Sequence, residues 1–228
     1  MKKHNTTRCV WIILLLSLLL TRCFLSPEEE EEVLVWTTAF IDNFDRANNT
    51  DISPFSLQVY GDGSADIFNE QLRYGGNICW AIRHDAGVPG DTIRVSATCT
   101  VQSGAPYFGI SAKSRNLGSE WQNQELYAFW ISADSIGLYE ITQQSPTCLV
   151  RNINPCNIGN PVVMTLVVMN KNLKGYIEDT VTGVKDSVVG VASFHSSGTI
   201  AGFNGSSAAT DTVLIDNFKI ETGSMIKK

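Results

Sequence analysis

The chain has little charge and no cluster of basic residues. Of its 228 residues 18% are charged, with 17 lysines and arginines against 23 aspartates and glutamates, and the formal net charge at pH 7 is −6. A protein that binds nucleic acid needs a basic face to neutralise phosphates. The sequence therefore argues against a nucleic-acid role and favours solvent, cations or neutral glycans as the surroundings of its surface.

A long hydrophobic run is also missing. The N-terminal apolar run, Val10 to Leu20, is interrupted by Ser17 and stops before Arg22, whereas a membrane-spanning helix needs about 20 apolar residues. This run follows a basic start and has the form of a secretory signal, with an uncleaved membrane anchor as the alternative. Removing residues 1–22 takes away four basic residues and no acidic ones, Lys2, Lys3, Arg8 and Arg22, so the net charge falls from −6 to −10.

The segment after the signal predicts either a lipid anchor or release. Leu20-Thr21-Arg22-Cys23 resembles a bacterial lipoprotein box, in which the cysteine is lipidated, although Arg22 replaces the usual small residue. Ordinary cleavage near Cys23 would instead give a soluble secreted protein. The five glutamates Glu28 to Glu32 repel one another and predict a solvated linker in either case. We therefore predict a signal at 1–23, an acidic linker at 24–37, one domain at 38–221 and a tail at 222–228, exported to the outer membrane or cell surface or secreted.

The cysteines lack the paired Cys-x2-Cys spacing that is typical of zinc sites. Two of the six lie in the first 23 residues, and the other four, an even number suited to disulfides in an exported protein, are Cys79, Cys99, Cys148 and Cys156. Four cysteines allow three pairings. We favour Cys148 with Cys156, which would close a loop, and Cys79 with Cys99, which would staple two neighbouring strands.

No stretch shows a helical period over three turns, and strand patterns fill the chain instead. Ile93 to Val101 alternates apolar and polar residues, as in a half-buried strand, and Leu126 to Ile131 turns through Ser132–Ser135 into a hairpin. Two apolar segments share Asp-Asn-Phe, at 42–44 and 216–218, and predict adjacent first and last strands. The expected fold is a two-sheet antiparallel sandwich.

The order of these segments resembles the concanavalin A-like, or laminin G-like, jelly roll of bacterial secreted proteins. The match runs over about residues 38–221, with a long insertion between Cys148 and Pro161 as a departure. Its motifs are Asp42-Asn43-Phe44-Asp45-Arg46-Ala47, Tyr127-Ala128-Phe129, Leu138-Tyr139, Gly175-Tyr176-Ile177-Glu178-Asp179 and Ile215-Asp216-Asn217-Phe218. The resemblance implies a jelly roll that hosts lectin-like modules, carbohydrate-binding modules, glycoside hydrolases or adhesive domains, and the fold alone does not choose between them.

The acidic pattern of a hydrolase of this fold is missing. Laminarinase-type members place Glu-x-Asp-x-x-Glu on one strand, and the chain has no such run. Glu120 and Glu125 fall on opposite faces of a strand, as do the neighbours Glu178 and Asp179. His84 and His195 have no catalytic motif near them. We therefore predict a protein that is not an enzyme, with a glycoside hydrolase as the less favoured alternative.

Aromatic residues supply the candidate ligand site. Trp121 stands in a polar segment with Glu120 and Gln122, whose side chains can hydrogen-bond sugar hydroxyls. Trp80 and Tyr107 are weaker candidates, and all three aromatics are alternatively core residues. The sequence predicts carbohydrate binding at the cell surface, with a structural or adhesive domain that binds a surface protein as the alternative. Contact with a membrane is expected only through a lipid anchor.

A structural calcium ion is implied by the resemblance. Related jelly rolls hold Ca²⁺ with an aspartate of the closing strand and oxygens of the opening one. Asp216 matches the closing position, and Asp42 and Asp45 lie in the opening segment. The alternative is that these carboxylates are solvated or cap turns.

Overall fold

The computed structural model describes residues 32–60, 63–76, 78–85, 87, 90–104, 106–116, 124–142, 145–194, 196–208 and 210–227, with the backbone alone at 58–60, 76, 78–83, 116, 124 and 206–207. Residues Val35–Ser224 form one compact unit. The predicted signal, Cys23 and most of the acidic linker lie outside the described residues and stay predictions.

Every regular element within the described ranges is a β-strand. The strands are β1 (Glu32–Asp42), β2 (Ser56–Tyr60), β3 (Gly63–Phe68), β4 (Gln71–Gly76), β5 (Ile78–Asp85), β6 (Thr92–Ser103), β7 (Tyr107–Asn116), β8 (Gln124–Ile131), β9 (Ser135–Thr142), β10 (Ser145–Ile153), β11 (Val162–Met169), β12 (Asn172–Asp179), β13 (Lys185–Val191), β14 (Ile200–Ser207) and β15 (Thr212–Lys227). Over these same ranges, no helix has the length and apolarity needed to cross a membrane.

The strands form two antiparallel sheets. The eight-stranded sheet has the order β13-β12-β11-β6-β15-β4-β3, with β1 also paired to β15, and the seven-stranded sheet has the order β10-β9-β8-β7-β14-β5-β2. Neighbours in space are often distant in sequence, as where β6 lies between β11 and β15. This arrangement confirms the predicted two-sheet jelly-roll sandwich.

Alternation along the strands builds the core between the sheets. In β6 the buried residues are Ile93, Val95, Ala97, Cys99 and Val101, and the residues between them are half-buried. The paired strand β11 buries Val162, Met164, Leu166 and Val168 in the same way. Since direct partners in a ladder face the same side, as Leu166 and Val95 do, the two strands present one apolar face to the other sheet. Each large buried apolar side chain contributes about 1.5–3 kcal/mol to stability.

The first and last strands meet, as the repeated Asp-Asn-Phe segments predict. β1 pairs with β15, and the rings of Phe40 and Phe218 lie 6.1 Å apart. The Asp-Asn-Phe segments at 42–44 and 216–218 do not themselves form a continuous pair of strands, however. Leu214 and Ile215 are flanked by β4 and β6, and the chain turns after Asp42, where Phe44 has φ 56 and donates its N–H to Asp42 Oδ1 at 2.7 Å.

The predicted disulfide between Cys148 and Cys156 is wrong, because both thiols are free. Cys148 lies within β10, and the strand continues for five more residues, to Ile153. At about 3.3 Å per residue this strand carries the chain roughly 16 Å away, whereas bridged cysteines have Cα atoms about 4.4–6.8 Å apart. Cys156 is buried, and its Sγ donates to the carbonyl oxygen of Val184 at 3.8 Å. The predicted long loop is therefore partly a strand.

The predicted bridge between Cys79 and Cys99 is also wrong. Cys99 is free and fully buried, and burial raises the pKa of its thiol. Cys79 belongs to β5 in the seven-stranded sheet and Cys99 to β6 in the eight-stranded sheet. Strands that follow each other in the sequence are thus in different sheets here. The side chain of Cys79 itself lies outside the described part of the chain.

Asp179 holds the segment between β10 and β11 in place. The Asp179 carboxylate accepts hydrogen bonds from the backbone N–H groups of Asn157, Val181 and Thr182 and from the amide of Asn160, at 2.9–3.2 Å. The backbone N–H of Thr182 is the largest of the causes that lower its pKa to about 2. One carboxylate therefore organises both the turn after β12 and the segment that precedes β11.

Candidate functional site

A row of five residues, two of them glycines, crosses the outer face of the seven-stranded sheet. Cross-strand pairs run from Asn204 to Gly109, from Gly109 to Trp130, from Trp130 to Gly137 and from Gly137 to Arg151. Directly paired residues point to the same side of a sheet. These five residues, which we call the central row, therefore share the face that points away from the core. Within the row only Asn204, Trp130 and Arg151 carry side chains.

Three aromatic rings gather on this face. Tyr107 of β7, Trp130 of β8 and Tyr139 of β9 form a cluster, with ring centroids 5.0 Å apart for Tyr107 and Trp130, 4.6 Å for Trp130 and Tyr139, and 6.0 Å for the two tyrosines. Tyr139 is buried, and Tyr107 and Trp130 are half-buried. This aromatic cluster packs on Leu126, Ala128 and Ile141, separately from the main core. Trp130 and Tyr107 therefore keep part of their ring surface open to solvent.

The indole of Trp130 is held in a fixed position. Its Nε1 donates to Asn204 Oδ1 at 2.7 Å, although the backbone of Gly109 stands between the two residues in the row. A Cβ added at Gly109 would overlap the carbonyl oxygen of Phe129, and one added at Gly137 would lie 2.9 Å from the Tyr139 ring. The two glycines thus allow close packing beside Trp130, and Asn204 determines how far the indole reaches across the sheet.

Polar groups surround the rings. Burial raises the pKa of the Tyr107 and Tyr139 hydroxyls, so each stays protonated at neutral pH. The exposed Cys148 of β10 is the register partner of Tyr139. Arg151 is more than half exposed and lies 4.0 Å from Asp134. The face therefore offers neutral hydroxyls and a guanidinium beside aromatic surface.

Among the predicted ligand residues, Tyr107 is the one whose side chain the structure describes, and it lies in this cluster. The backbone of Trp80 lies in β5, paired with Gly205 and Val59, but its side chain is outside the described residues, as are Glu120, Trp121 and Gln122. Residues Glu120, Trp121 and Gln122 lie in the sequence between Asn116, the end of β7, and Gln124, the start of β8. Asn116 stands seven residues along β7 from Gly109, which is roughly 20 Å at about 3.3 Å per residue.

Trp130, Tyr139, Asn204 and Arg151 were not predicted as site residues. Within β8 the fully buried residues of the main core are Tyr127, Phe129 and Ile131, and Trp130 belongs to the alternate set. A tryptophan at a strand position that alternates with the core residues could have been predicted to lie on the outer face of the sheet. The neighbours that complete the site come from three other strands, and their register cannot be read from the local pattern.

The predicted metal residues lie near one another without forming a metal centre. Over the described residues, no group of three or more His, Cys, Asp and Glu side chains is arranged to hold a metal ion. Both oxygens of Asp42 contact Arg46 Nη1, at 2.9 and 3.0 Å. Burial raises the pKa of Asp216, and the negative charges of Asp45 and Asp42 raise it further. Three carboxylates thus share one region, with Asp42 neutralised by an arginine.

Two of the acids and one of the histidines considered above have structural contacts, and Glu120 lies outside the described residues. Glu178 pairs with Lys185 at 2.9 Å, and Asp179 makes the hydrogen bonds described above. His84 stacks on Phe40 with ring centroids 3.7 Å apart, and burial lowers its pKa. His195 lies outside the described residues.

No model of a known protein family matches the chain, and no curated protein sequence matches it. Solved structures do match it in fold. The carbohydrate-binding module CBM66 from Bacillus subtilis has a TM-score of 0.57 at 12% identity and covers 82% of this chain and 95% of its own. The catalytic domain of an endo-1,3-β-glucanase (laminarinase) from Thermotoga petrophila RKU-1 has a TM-score of 0.58 at 9% identity, and the match covers 83% of this chain and 98% of that domain. The exoplasmic/lumenal domain of VIP36, bound to Ca²⁺ and Man3GlcNAc, has a TM-score of 0.57 at 12% identity, and the match covers 78% of this chain and 87% of that domain. At these identities the likeness shows the fold alone, and it confirms the concanavalin A-like jelly roll.

Proposed function

We propose that this chain is a non-catalytic carbohydrate-binding module that binds its glycan on the outer face of the seven-stranded sheet, around the aromatic cluster. One observation carries the proposal, namely that the partly exposed indole of Trp130 is fixed by Asn204 beside tyrosine hydroxyls. The apolar face of a sugar ring packs on flat aromatic surface, and convergent polar groups orient its hydroxyls. A rigid platform of this kind loses little conformational entropy when a ligand binds.

The solved structures of the same fold support this proposal over a catalytic one. A carbohydrate-binding module and a domain solved with an oligosaccharide share the fold, and so does a laminarinase. A retaining or inverting glycosidase needs two carboxyl groups at a defined separation across the scissile bond. The central row and the aromatic cluster contain no carboxylate, which is why we infer binding without hydrolysis.

The direct test is binding of the unmodified protein to a glycan array that includes β-1,3-glucan oligosaccharides and Man3GlcNAc. We expect binding to at least one glycan class, saturable and competed by the same free oligosaccharide. An array on which no glycan binds, together with capture of a single surface protein, would instead support the adhesive-domain alternative.

We also propose that the protein is exported and anchored by a lipid on Cys23, with the acidic segment that precedes β1 as a tether. The support is the lipoprotein-like sequence Leu20-Thr21-Arg22-Cys23 and the five glutamates that follow. In cells that process bacterial lipoproteins, the protein should incorporate labelled palmitate, and Cys23→Ser should abolish the label. A Cys148→Ser variant, which keeps Cys23, is the matched control and should stay labelled. Unlabelled wild-type protein in the medium would favour ordinary secretion.

We further propose a calcium site formed by Asp216 and Asp45, with Asp42 joining if Arg46 gives up its contact. The mutual repulsion that raises the pKa of Asp216 is what a bound cation relieves. Calcium at about 100 times its dissociation constant stabilises the folded state by about 2.7 kcal/mol. For a domain of this size that raises the melting temperature by about 5–10 °C.

Asp216→Asn separates the effect of bound calcium from the effect of carboxylate repulsion. The variant should lose the calcium-dependent rise in melting temperature. In chelator it should melt slightly higher than the wild type, because a half-buried charge that its neighbours repel is gone. Asp66→Asn is a control, since Asp66 pairs with Arg73 at 2.6 Å on another strand. Identical melting curves for the wild-type protein in calcium and in chelator would show that no such site exists.

A further inference from the structure

Apart from β1, which pairs with β15 beside the main order, four strands end the two sheets, and three of these four are protected against pairing with another chain. β10 carries Pro146 and an irregular register between Cys148 and Val150. Ile67 of β3 exchanges two backbone hydrogen bonds with Asn49, at 3.1 and 2.7 Å. β2 is short, with five residues. Prolines, bulges, covering segments and short length are the usual ways in which proteins block sheet edges.

The fourth terminal strand, β13, has none of these features. It contains no proline and has a regular register with β12 over seven residue pairs. No other described strand pairs with it in the sheet. An edge strand with outward-facing backbone groups and exposed apolar side chains can recruit another strand. The contrast with the other edges indicates that β13 is available to a partner strand.

Hydrogen bonds at both ends of β13 determine which of its backbone groups face outward. Ala192 donates to the carbonyl of Lys171, and Asp179 donates to the carbonyl of Val184, each at 2.9 Å. In an antiparallel pair the bonding residues alternate, so the even-numbered residues of β13 bond to β12. Ser187, Val189 and Val191 therefore turn their N–H and C=O groups away from the sheet.

The side chains at this edge are apolar and exposed. Val189 is 62% exposed and Val191 is 64% exposed. The neighbouring charge is balanced, because Lys185 pairs with Glu178. On β12, the ammonium of Lys174, which is the register partner of Val189, lies 4.7 Å from the centre of the Tyr176 ring. Around Val189 and Val191 the edge thus combines outward-facing backbone groups with exposed apolar side chains.

We propose that two copies of this chain associate through β13, antiparallel and about a two-fold axis at Val189. In this register Val189 faces Val189 of the second copy, and Ser187 faces Val191 on both sides of the axis. The outward N–H and C=O groups of Val189 and Val191 then find partners, while the N–H of Ser187, which donates to Asp186 Oδ1 at 2.7 Å in the single copy, exchanges that partner for the carbonyl of Val191. Lys185 falls opposite Ser193 and Asp186 opposite Ala192, so no like charges face each other. A second copy fits because the strand is complementary to itself, and the two eight-stranded sheets become continuous.

The association is tested by sedimentation equilibrium of the full chain over a range of concentrations. We expect the mass to rise from 25.0 kDa toward twice that value. Val189→Lys places two ammonium groups opposite each other at the axis and should weaken association by about tenfold or more. At a concentration where the wild type is monomeric, its melting temperature should equal that of the wild type. Val181→Lys is the matched control, since Val181 is 68% exposed but lies in the turn after β12. It should associate like the wild type.

A cross-link tests the register itself. Val189→Cys should form a reducible dimer in oxidising buffer, because opposed residues of an antiparallel pair have Cα atoms about 5.5 Å apart, within the range that a disulfide spans. Val181→Cys, measured beside the unmodified protein, should form no more dimer than that protein does. A wild-type chain that stays at 25.0 kDa throughout, or a Val189→Lys variant that associates normally, would overturn the proposal.

Discussion

Replacing Trp130 with alanine should lower the affinity of the protein for its best glycan on the array by about 30-fold or more. Central aromatic residues of binding sites cost about 2 kcal/mol or more when truncated, and 1.4 kcal/mol corresponds to a factor of ten. The substitution removes the indole that bridges Tyr139 and Asn204 and leaves a gap beside Gly109. Calorimetric titration with the free oligosaccharide measures the loss.

A smaller change separates binding from folding. Trp130→Phe keeps an aromatic ring but loses the hydrogen bond to Asn204 Oδ1, so it should bind with intermediate affinity and melt close to the wild type. Tyr176→Ala is the matched control on the opposite sheet, where Tyr176 is 39% exposed, and should bind normally. Trp121→Ala tests the other candidate. If Trp121→Ala abolishes binding and Trp130→Ala does not, the site belongs to the segment around Trp121 and our assignment fails.

The architecture was largely predictable because its local signals agree. β6 alternates buried and half-buried residues over most of its length, and a period of two residues indicates a strand and not a helix. The shared Asp-Asn-Phe segments also predicted correctly that the first and last strands pair. They did not predict that Phe44 and Asn217 adopt positive φ, which ends or bends the strand at each segment.

The cysteine pairings failed for a topological reason. Closeness in sequence suggested Cys79 with Cys99 and Cys148 with Cys156. Some consecutive strands of this fold lie in different sheets, as β5 and β6 do. A strand can also separate two residues by more than a disulfide spans, as β10 does after Cys148. Both facts depend on long-range pairing, which a single sequence does not display.

The candidate site was found only in part for the same reason. Tyr107 was named from its own surroundings, but Trp130, Tyr139 and Asn204 acquire their meaning by standing side by side on β8, β9 and β14. Glycines were the overlooked signal. Gly109 and Gly137 lie on either side of Trp130 in the row and leave that part of the sheet face without side chains.

Phe129→Ala should lower the free energy of unfolding by about 3–5 kcal/mol, the usual cost of emptying a buried phenylalanine site. Phe129 is completely buried, and its ring lies directly over Gly175 of the opposite sheet, where an added Cβ would overlap it. A domain of this size loses about 2–4 °C of melting temperature per kcal/mol. Thermal unfolding should therefore show a melting temperature about 10 °C lower. Urea unfolding measures the loss of free energy directly.

Gly175→Ala tests whether these two residues are the ones in contact. Alone it should destabilise by about 1–3 kcal/mol, because the methyl group meets the Phe129 ring. Combined with Phe129→Ala, the same methyl group enters vacated space, so the double variant should be more stable than the two single effects predict by about 1 kcal/mol or more. The control pairs Gly175→Ala with Phe203→Ala, since Phe203 is equally buried but packs on Phe218 at 4.8 Å. Those two effects should add. Additive effects in both pairs would mean that the sheets do not meet at Phe129 and Gly175, and that the outward placement of the neighbouring Trp130 is incorrect as well.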